Sequence, residues 1–305
     1  MKTLLILGIS SLTGSKLSQL CKNDFKIFGT YNLRKPKISN TNLFHFDVFK
    51  DNLNDLFEEI RPNFVVNSIA INGVDFCEKN RNISQHVNSD FVLELTKLCE
   101  KYDVKLIHLS SDSVFNGNQI APYSESDNPN PINFYGQTKF EAEKHVLSNR
   151  KNLVIRVSVL YGHLFSFLQN LESSSMKPTN FGLWFVKQLE QGKSVKIIID
   201  EFSSPILVND FAKAILFSLK NDLIGLFHAG PSCSISRYDF CYKIAKQFNY
   251  DTSLIIPTTR EQLGRDVLTA KNKALNSLKF EKMGFHFENL DNSINIFYKD
   301  VIKNE

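Results

Sequence analysis

The chain reads as an α/β protein built on a doubly wound parallel sheet, followed by a smaller mixed α/β lobe. Three observations carry this. Short apolar runs alternate with helical patterns through the first half, a glycine-bearing turn links the first run to the first helix, and the alternation is lost after Gly162. Strand, crossover helix, strand, repeated, calls for right-handed crossovers and a sheet covered on both faces.

In chain order, Thr3–Gly8, Lys26–Tyr31, Asn63–Ala70, Val104–Ser110 and Leu153–Val157 are rich in Val, Ile, Leu or Phe and read as buried strands. Thr13–Lys22, Asp51–Ile60, Phe91–Tyr102 and Tyr135–Asn149 read as the helices between them. Beyond Gly162, the polar, Ser-rich Ser166–Pro178 reads as a loop. Val195–Ile199 and Leu226–Ala229 read as strands, and Asn209–Leu219, Ser236–Phe248 (with Ser236 as N-cap) and Lys273–Met283 as helices. The expected division is a dinucleotide-binding, Rossmann-like domain over 1–165, with a return around 195–222, and a mostly substrate-binding lobe over 166–305.

Composition narrows the function classes. The 305 residues are 42% apolar and 22% charged with a net charge of +4, an ordinary folded composition without a basic cluster that would track nucleic acid. Apolar runs fall far short of the ~20 residues that span a bilayer, and the stretch after Met1-Lys2 is too short for a signal peptide, so a cytoplasmic location is expected. Five scattered cysteines and seven scattered histidines show no metal-ligand spacing, so reduced thiols and no metal are expected. No period of 20 to 50 residues repeats.

Gly8-Ile-Ser10-Ser11-Leu12-Thr-Gly14 follows the first strand and opens the first helix, where small residues let helix N–H groups approach a pyrophosphate. Ser11 stands where a middle glycine is usual. After Thr30 at the end of the second strand there is no acidic residue to hold a ribose 2′-hydroxyl; Arg34 and Lys35 suit a 2′-phosphate, which favours NADP(H) over NAD(H). Asp47, followed by Val48, is placed to accept a hydrogen bond from an adenine amino group.

Tyr135 and Lys139 lie four apart on a predicted helix, hence on one face, and Ser110-Ser111-Asp112 ends a strand at the edge where α/β proteins bind ligands. Reducing a ketone needs a proton donor at its oxygen. A phenol beside an ammonium is expected to become more acidic than its usual ~10, and the Ser111 hydroxyl can hold the carbonyl oxygen.

Gly8…Gly14, Asn67-Ser-Ile-Ala70, Ser110-Ser-Asp-Ser-Val-Phe-Asn-Gly117, Pro122-Tyr123-x-Glu125 and Tyr135-Gly-Gln-Thr-Lys139 together resemble the extended short-chain dehydrogenase/reductase superfamily. Within it, Val74-Asp75-x-Cys77-Glu78, Arg156-Val-Ser-Val-Leu-Tyr-Gly162, Asn180-Phe181 and Pro205-Ile-Leu-Val-x-Asp210 resemble the dTDP-4-dehydrorhamnose reductase group. The resemblance implies Ser111, Tyr135 and Lys139 as the catalytic residues. It implies Gly8, Ser10, Ser11, Leu12, Gly14, Thr30, Arg34, Asp47, Val48, Ser68, Ile69, Ala70, Tyr135 and Lys139 around NADPH. Asn72, Val74, Asp112, Ser113, Asn180 and Trp184 are implied beside a nucleotide-sugar substrate. Two departures bear on the sugar: Val159 replaces a usual Trp, and a usual Arg-Pro is missing near Lys271-Asn-Lys273. A dehydratase is disfavoured because Asp112 is followed by Ser113, and a 4-epimerase because no acid follows the second strand. A non-catalytic NADP-binding subunit, resembling the partner of methionine adenosyltransferase, or another sugar-nucleotide epimerase or dehydrogenase of the superfamily, remains as an alternative. Arg237 and Arg260 are further candidates for a nucleotide diphosphate, and a homodimer stays open.

Overall fold

A computed structural model describes residues 1–33, 35–163 and 180–303. Arg34 and the expected loop at Ser166–Pro178 lie outside the described residues.

The strands are β1 (Lys2–Leu7), β2 (Phe25–Tyr31), β3 (Asn42–His45), β4 (Phe64–Asn67), β5 (Lys105–Ser111), β6 (Leu153–Val157), β7 (Leu160–Tyr161), β8 (Val195–Ile198), β9 (Phe202–Ser203), β10 (Ile206–Leu207), β11 (Gly225–Ala229), β12 (Ile235–Ser236) and β13 (Ile255–Thr258). Seven form one parallel sheet in the order β11-β6-β5-β4-β1-β2-β3. The strand order reverses beside β1, which is where such sheets leave a crevice at their carboxyl ends.

Both faces of the sheet are apolar, because its strands are covered on both sides. Leu4, Ile6, Ile27, Val66 and Ile107 pack with Phe211 and Ile215 of the helix Val208–Lys220, whereas Leu5, Leu7, Val65 and Leu106 pack with Phe57, Phe91, Leu95 and Ala142 of the other helices. Gly14 shows how tightly the first helix docks: a Cβ there would lie 2.6 Å from the Gly8 carbonyl oxygen. A third cluster, including Tyr161, Phe185, Phe240, Ile244 and Phe297, forms the core of the second lobe.

Several predicted elements differ. β4 stops at Asn67 rather than Ala70, since the chain turns into the crevice there. β3 and the helices Val74–Lys79, Arg81–Gln85 and Leu290–Ile302 were not foreseen. The predicted helix Lys273–Met283 shrinks to Leu278–Lys282. Its first residues instead stitch two regions together: Lys273 N–H donates to the Phe202 carbonyl at 2.9 Å and Asn276 N–H to the Tyr123 carbonyl at 2.7 Å. The Asn272 amide adds bonds to the Gln119 and Ile120 carbonyls at 3.0 and 2.8 Å. The alternation resumes late, with the helix Val208–Lys220 and β11 joining the main sheet, while β8 pairs with β13 outside it. No helix among the described residues is long and apolar enough to cross a membrane.

Candidate active site

The turn after β1 is held by its own backbone and by serines. Gly8 takes φ +77°, a left-handed conformation that suits glycine, and its N–H donates to Thr30 Oγ1 at 3.0 Å. Ser11 has φ −68°, so no glycine is demanded there. Its Oγ caps the first helix by accepting from Gly14 N–H at 2.9 Å and lies 3.1 Å from Ser68 Oγ, which in turn donates to the Leu7 carbonyl at 2.7 Å. The serine at the middle-glycine position thus turns its side chain back into the protein and leaves the helix N-terminus facing the crevice.

That crevice is a cleft of about 680 Å³. It brings together Gly8, Ser10, Ser11, Leu12, Thr30, Asp47, Val48, Ser68, Ile69, Ala70 and Asn72 with Ser111, Tyr135 and Lys139. Tyr31, Phe49, Ile71, Ser158 and Phe211 also line it and went unread in the sequence; Phe211 comes from a helix more than a hundred residues downstream, with no local signal. Gly14 lies under the turn rather than on the wall. Val74, Asp112, Ser113, Asn180 and Trp184 are not on the wall either. The Asn180 amide caps the helix Phe181–Glu190 and bonds both backbone groups of Gly162. Trp184 packs against Phe181 with ring centres 5.7 Å apart. Arg237 lies over the Phe181 ring and 3.6 Å from Glu201, and Arg260 lies 3.5 Å from Asp200, so both candidate phosphate-binding arginines already face carboxylates.

At the closed end, Ser111 ends β5 and Tyr135 opens the helix Phe134–Leu147, whose N-cap is Asn133. Tyr135 OH lies 3.5 Å from Asn72 Oδ1. Ser111 Oγ donates to Asp112 Oδ1 at 3.1 Å, and Asp112 Oδ2 accepts from Ser158 at 2.7 Å, so the buried Asp112 acts as a bracket for the hydroxyl. Asn88 ties the adjoining loop to the same helix, bonding both backbone groups of Ile71 and reaching Thr138.

Two polar rows cross the sheet beneath this helix. Register places Asn67 beside His108, and Ser110 beside Arg156 beside His228. Residues two apart on a strand share a face, and so do residues four apart on a helix. His108 and Ser110 therefore meet Lys139 and Glu143. Lys139 Nζ donates to the Leu109 carbonyl at 2.7 Å and lies 3.3 Å from His108 Nε2. Glu143 accepts from Ser110 at 2.5 Å and from Arg156 Nε and Nη2 at 2.9 and 2.7 Å. The i,i+4 step that marked Lys139 from Tyr135 would also have marked Glu143.

The electrostatics differ from the sequence expectation. Burial pushes the Tyr135 phenol up, and its hydrogen bond with Ser111 opposes that. Burial lowers Lys139 itself to about 8, against the pull of Glu143 and Cys77. No group of three or more His, Cys, Asp or Glu able to hold a metal occurs among the described residues.

Comparison with known proteins gives the same architecture. The RmlD substrate binding domain family matches residues 1–302. The chain is 26% identical over 273 residues, 88% of each chain, to a probable low-salt glycan biosynthesis reductase, Agl14, of Haloferax volcanii. It is 26% identical over 295 residues, 94% of this chain and 86% of the other, to methionine adenosyltransferase 2 subunit beta of Danio rerio. A crystal structure of dTDP-4-dehydrorhamnose reductase from Bacillus anthracis in complex with NADP superposes with a TM-score of 0.81 at 22% identity, covering 98% of this chain and 99% of that one.

Proposed function

Since the chain belongs to the RmlD substrate binding domain family, within the extended short-chain dehydrogenases/reductases, we propose that it is an NADPH-dependent reductase of a nucleotide-activated 4-keto sugar. The observation that carries this reading is the meeting of Ser111, Tyr135 and Lys139 in one cleft with the Gly8–Gly14 turn. The cleft fits a dinucleotide: a helix N-terminus faces it, and Thr30, Asp47 and Val48 line the end toward β2 and β3. NADPH, when bound, supplies the hydride for the carbonyl carbon.

The chain's own residues do the rest. Tyr135 OH gives the proton to the carbonyl oxygen. Ser111 donates a hydrogen bond to that oxygen and stabilises the charge developing there. Lys139, as the ammonium, holds the ribose hydroxyls and favours the phenolate that Tyr135 leaves behind. Ser68, Ile69 and Ala70 wall the nicotinamide end, and Asn72 stands beside the sugar. Residues 1–165 would hold the dinucleotide, and 166–305 mostly the sugar nucleotide. The preference for NADPH rests on Arg34 and Lys35 in the sequence and on the NADP-bound relative.

A panel of nucleoside diphosphate 4-keto sugars, with NADPH absorbance as readout, tests this. Consumption of reduced cofactor with one of them is expected. The likeness to methionine adenosyltransferase 2 subunit beta over 94% of the chain favours a second reading, a regulatory subunit without turnover. Under it, NADPH would raise the melting temperature while dTDP, UDP, GDP and CDP would leave the loaded protein unchanged.

A further inference from the structure

Asn67, His108 and Lys139 form a chain of buried side chains behind the cleft. Asn67 Nδ2 lies 3.3 Å from His108 Nδ1, and His108 Nε2 lies 3.3 Å from Lys139 Nζ. They are 0%, 0% and 2% exposed, so water cannot settle their hydrogen bonds. Asn67 Oδ1 accepts from Ile69 N–H at 3.0 Å, which leaves only the amide NH2 to face the imidazole. Nδ1 must then accept, and a neutral imidazole with an accepting Nδ1 carries its hydrogen on Nε2, aimed at Lys139. An ammonium has no lone pair to receive it, whereas an amine has one. The arrangement is fully satisfied when the Lys139 amine accepts from His108 and donates to the Leu109 carbonyl at 2.7 Å. Charging Lys139 requires the other tautomer, with Nδ1–H donating to Asn67. The Asn67 amide must then turn over, which strips Ile69 N–H of its acceptor and leaves a backbone donor unpaired.

We propose that Asn67 and His108 are positioning residues that favour the amine over the ammonium form of Lys139 in the free protein, and that an anionic dinucleotide entering the cleft shifts it toward the ammonium by proton uptake. This rests on the dinucleotide reading of the cleft. The groups facing Lys139 are Glu143 from its own helix, Cys77 from the helix Val74–Lys79 and His108 from β5. Glu143 is the nearest source of stabilisation for an ammonium, but both its oxygens are already taken by Arg156 and Ser110. His108 does not take the charge instead, since burial and Lys139 push it well below its ordinary value. Ile69 lines the cleft, so a turn of the Asn67 amide changes the wall against which the dinucleotide lies.

Imidazole ¹⁵N spectroscopy of the intact protein tests this, with the His108 signal identified by its loss in His108→Gln. The Nε2–H tautomer is expected at pH 9 and the Nδ1–H tautomer at pH 6.5, the change following the titration of the Lys139 side chain. One tautomer at both pH values overturns the proposal. Asn67→Asp offers a second acceptor, one oxygen for Ile69 and one for Nδ1–H. It should raise the Lys139 midpoint by about one unit and hold Nδ1–H throughout; an unchanged midpoint overturns the proposal. Should that variant not fold, the wild-type comparison still decides. NADPH at pH 9 should drive the switch to Nδ1–H, with roughly half a proton taken up at pH 8 by calorimetry in two buffers. Binding without uptake overturns the linkage to the dinucleotide. A pH switch with no NADPH binding supports the side-chain arrangement and counts against the reductase reading.

Discussion

Two buried clusters lie one helical turn apart under the helix Phe134–Leu147, and they solve opposite problems. The Glu143 cluster is closed: a carboxylate meets a guanidinium at 2.7 Å, Ser110 fills a remaining acceptor site, and Arg156 passes on to His228 at 3.2 Å. Its charges cancel and its geometry has one answer. The Lys139 cluster contains a potential charge that, among the described residues, is bonded to a carbonyl and an imidazole and to no carboxylate. The first cluster fixes where the helix sits. The second leaves open what its lysine carries, which is the property a site that moves protons needs.

The largest expected effect comes from opening the closed cluster. Arg156→Met should cost about 3–5 kcal/mol in urea unfolding, because Glu143 is left charged and buried. Adding Glu143→Leu should recover much of that, and no recovery would show that packing rather than charge pairing holds the helix.

Tyr135→Phe touches neither cluster. Turnover should fall on the order of 10²-fold or more with cofactor affinity retained. Full turnover in that variant would remove Tyr135 as the acid.

Acid should separate the clusters from the rest of the fold. Burial beside Arg156 holds His228 near about 3, and His108 also stays well below its ordinary value. Both are neutral when folded, so the unfolded chain takes up protons first, near 6.5. The stability they confer is complete above that pH and is lost as pH falls, by up to ~1.4 kcal/mol per pH unit for each, for His228 down to about 3. His228→Gln should flatten the slope of stability against pH, and an unaltered slope would contradict a neutral buried imidazole.

The smallest effect is a control outside both clusters. Ser236 caps the helix Arg237–Gln247 by accepting from Asp239 N–H at 2.9 Å. Ser236→Ala should cost about 1 kcal/mol and leave NADPH binding unchanged.

The same contrast separates what the sequence shows from what it hides. β1, β2, β5 and β6 were legible because a doubly covered strand is rich in apolar residues, as in Leu4–Leu7 of β1 and Leu153–Ile155 of β6. β3 was not, because none of its four edge residues is buried. Tyr135 and Lys139 were legible from spacing along one helix. Asn67 and His108 were not, since they become neighbours only through the register of β4 on β5. The shortened helix at Leu278–Lys282 was misread for a related reason: residues 273–276 hydrogen-bond to Phe202, Ser204 and Tyr123 rather than to each other.

That stitching has a consequence for how the chain comes off the ribosome. The segment running through Asn272 and Asn276 is synthesised about 150 residues after the Gly117–Tyr123 loop that it fastens, and about 70 after Phe202. Until it emerges, the carbonyls of Gln119 and Ile120 lack the Asn272 amide, and the Tyr123 carbonyl has His228 Nδ1 at 3.0 Å but not the Asn276 N–H, although β1 to β6 are already made. By then β1 to β6 can pair, while the Gly117–Tyr123 loop still lacks the partners that residues 272–276 supply. Fastening waits for residues 272–276, so a pause in translation before them would present a chaperone with β1 to β6 made and their clasp missing.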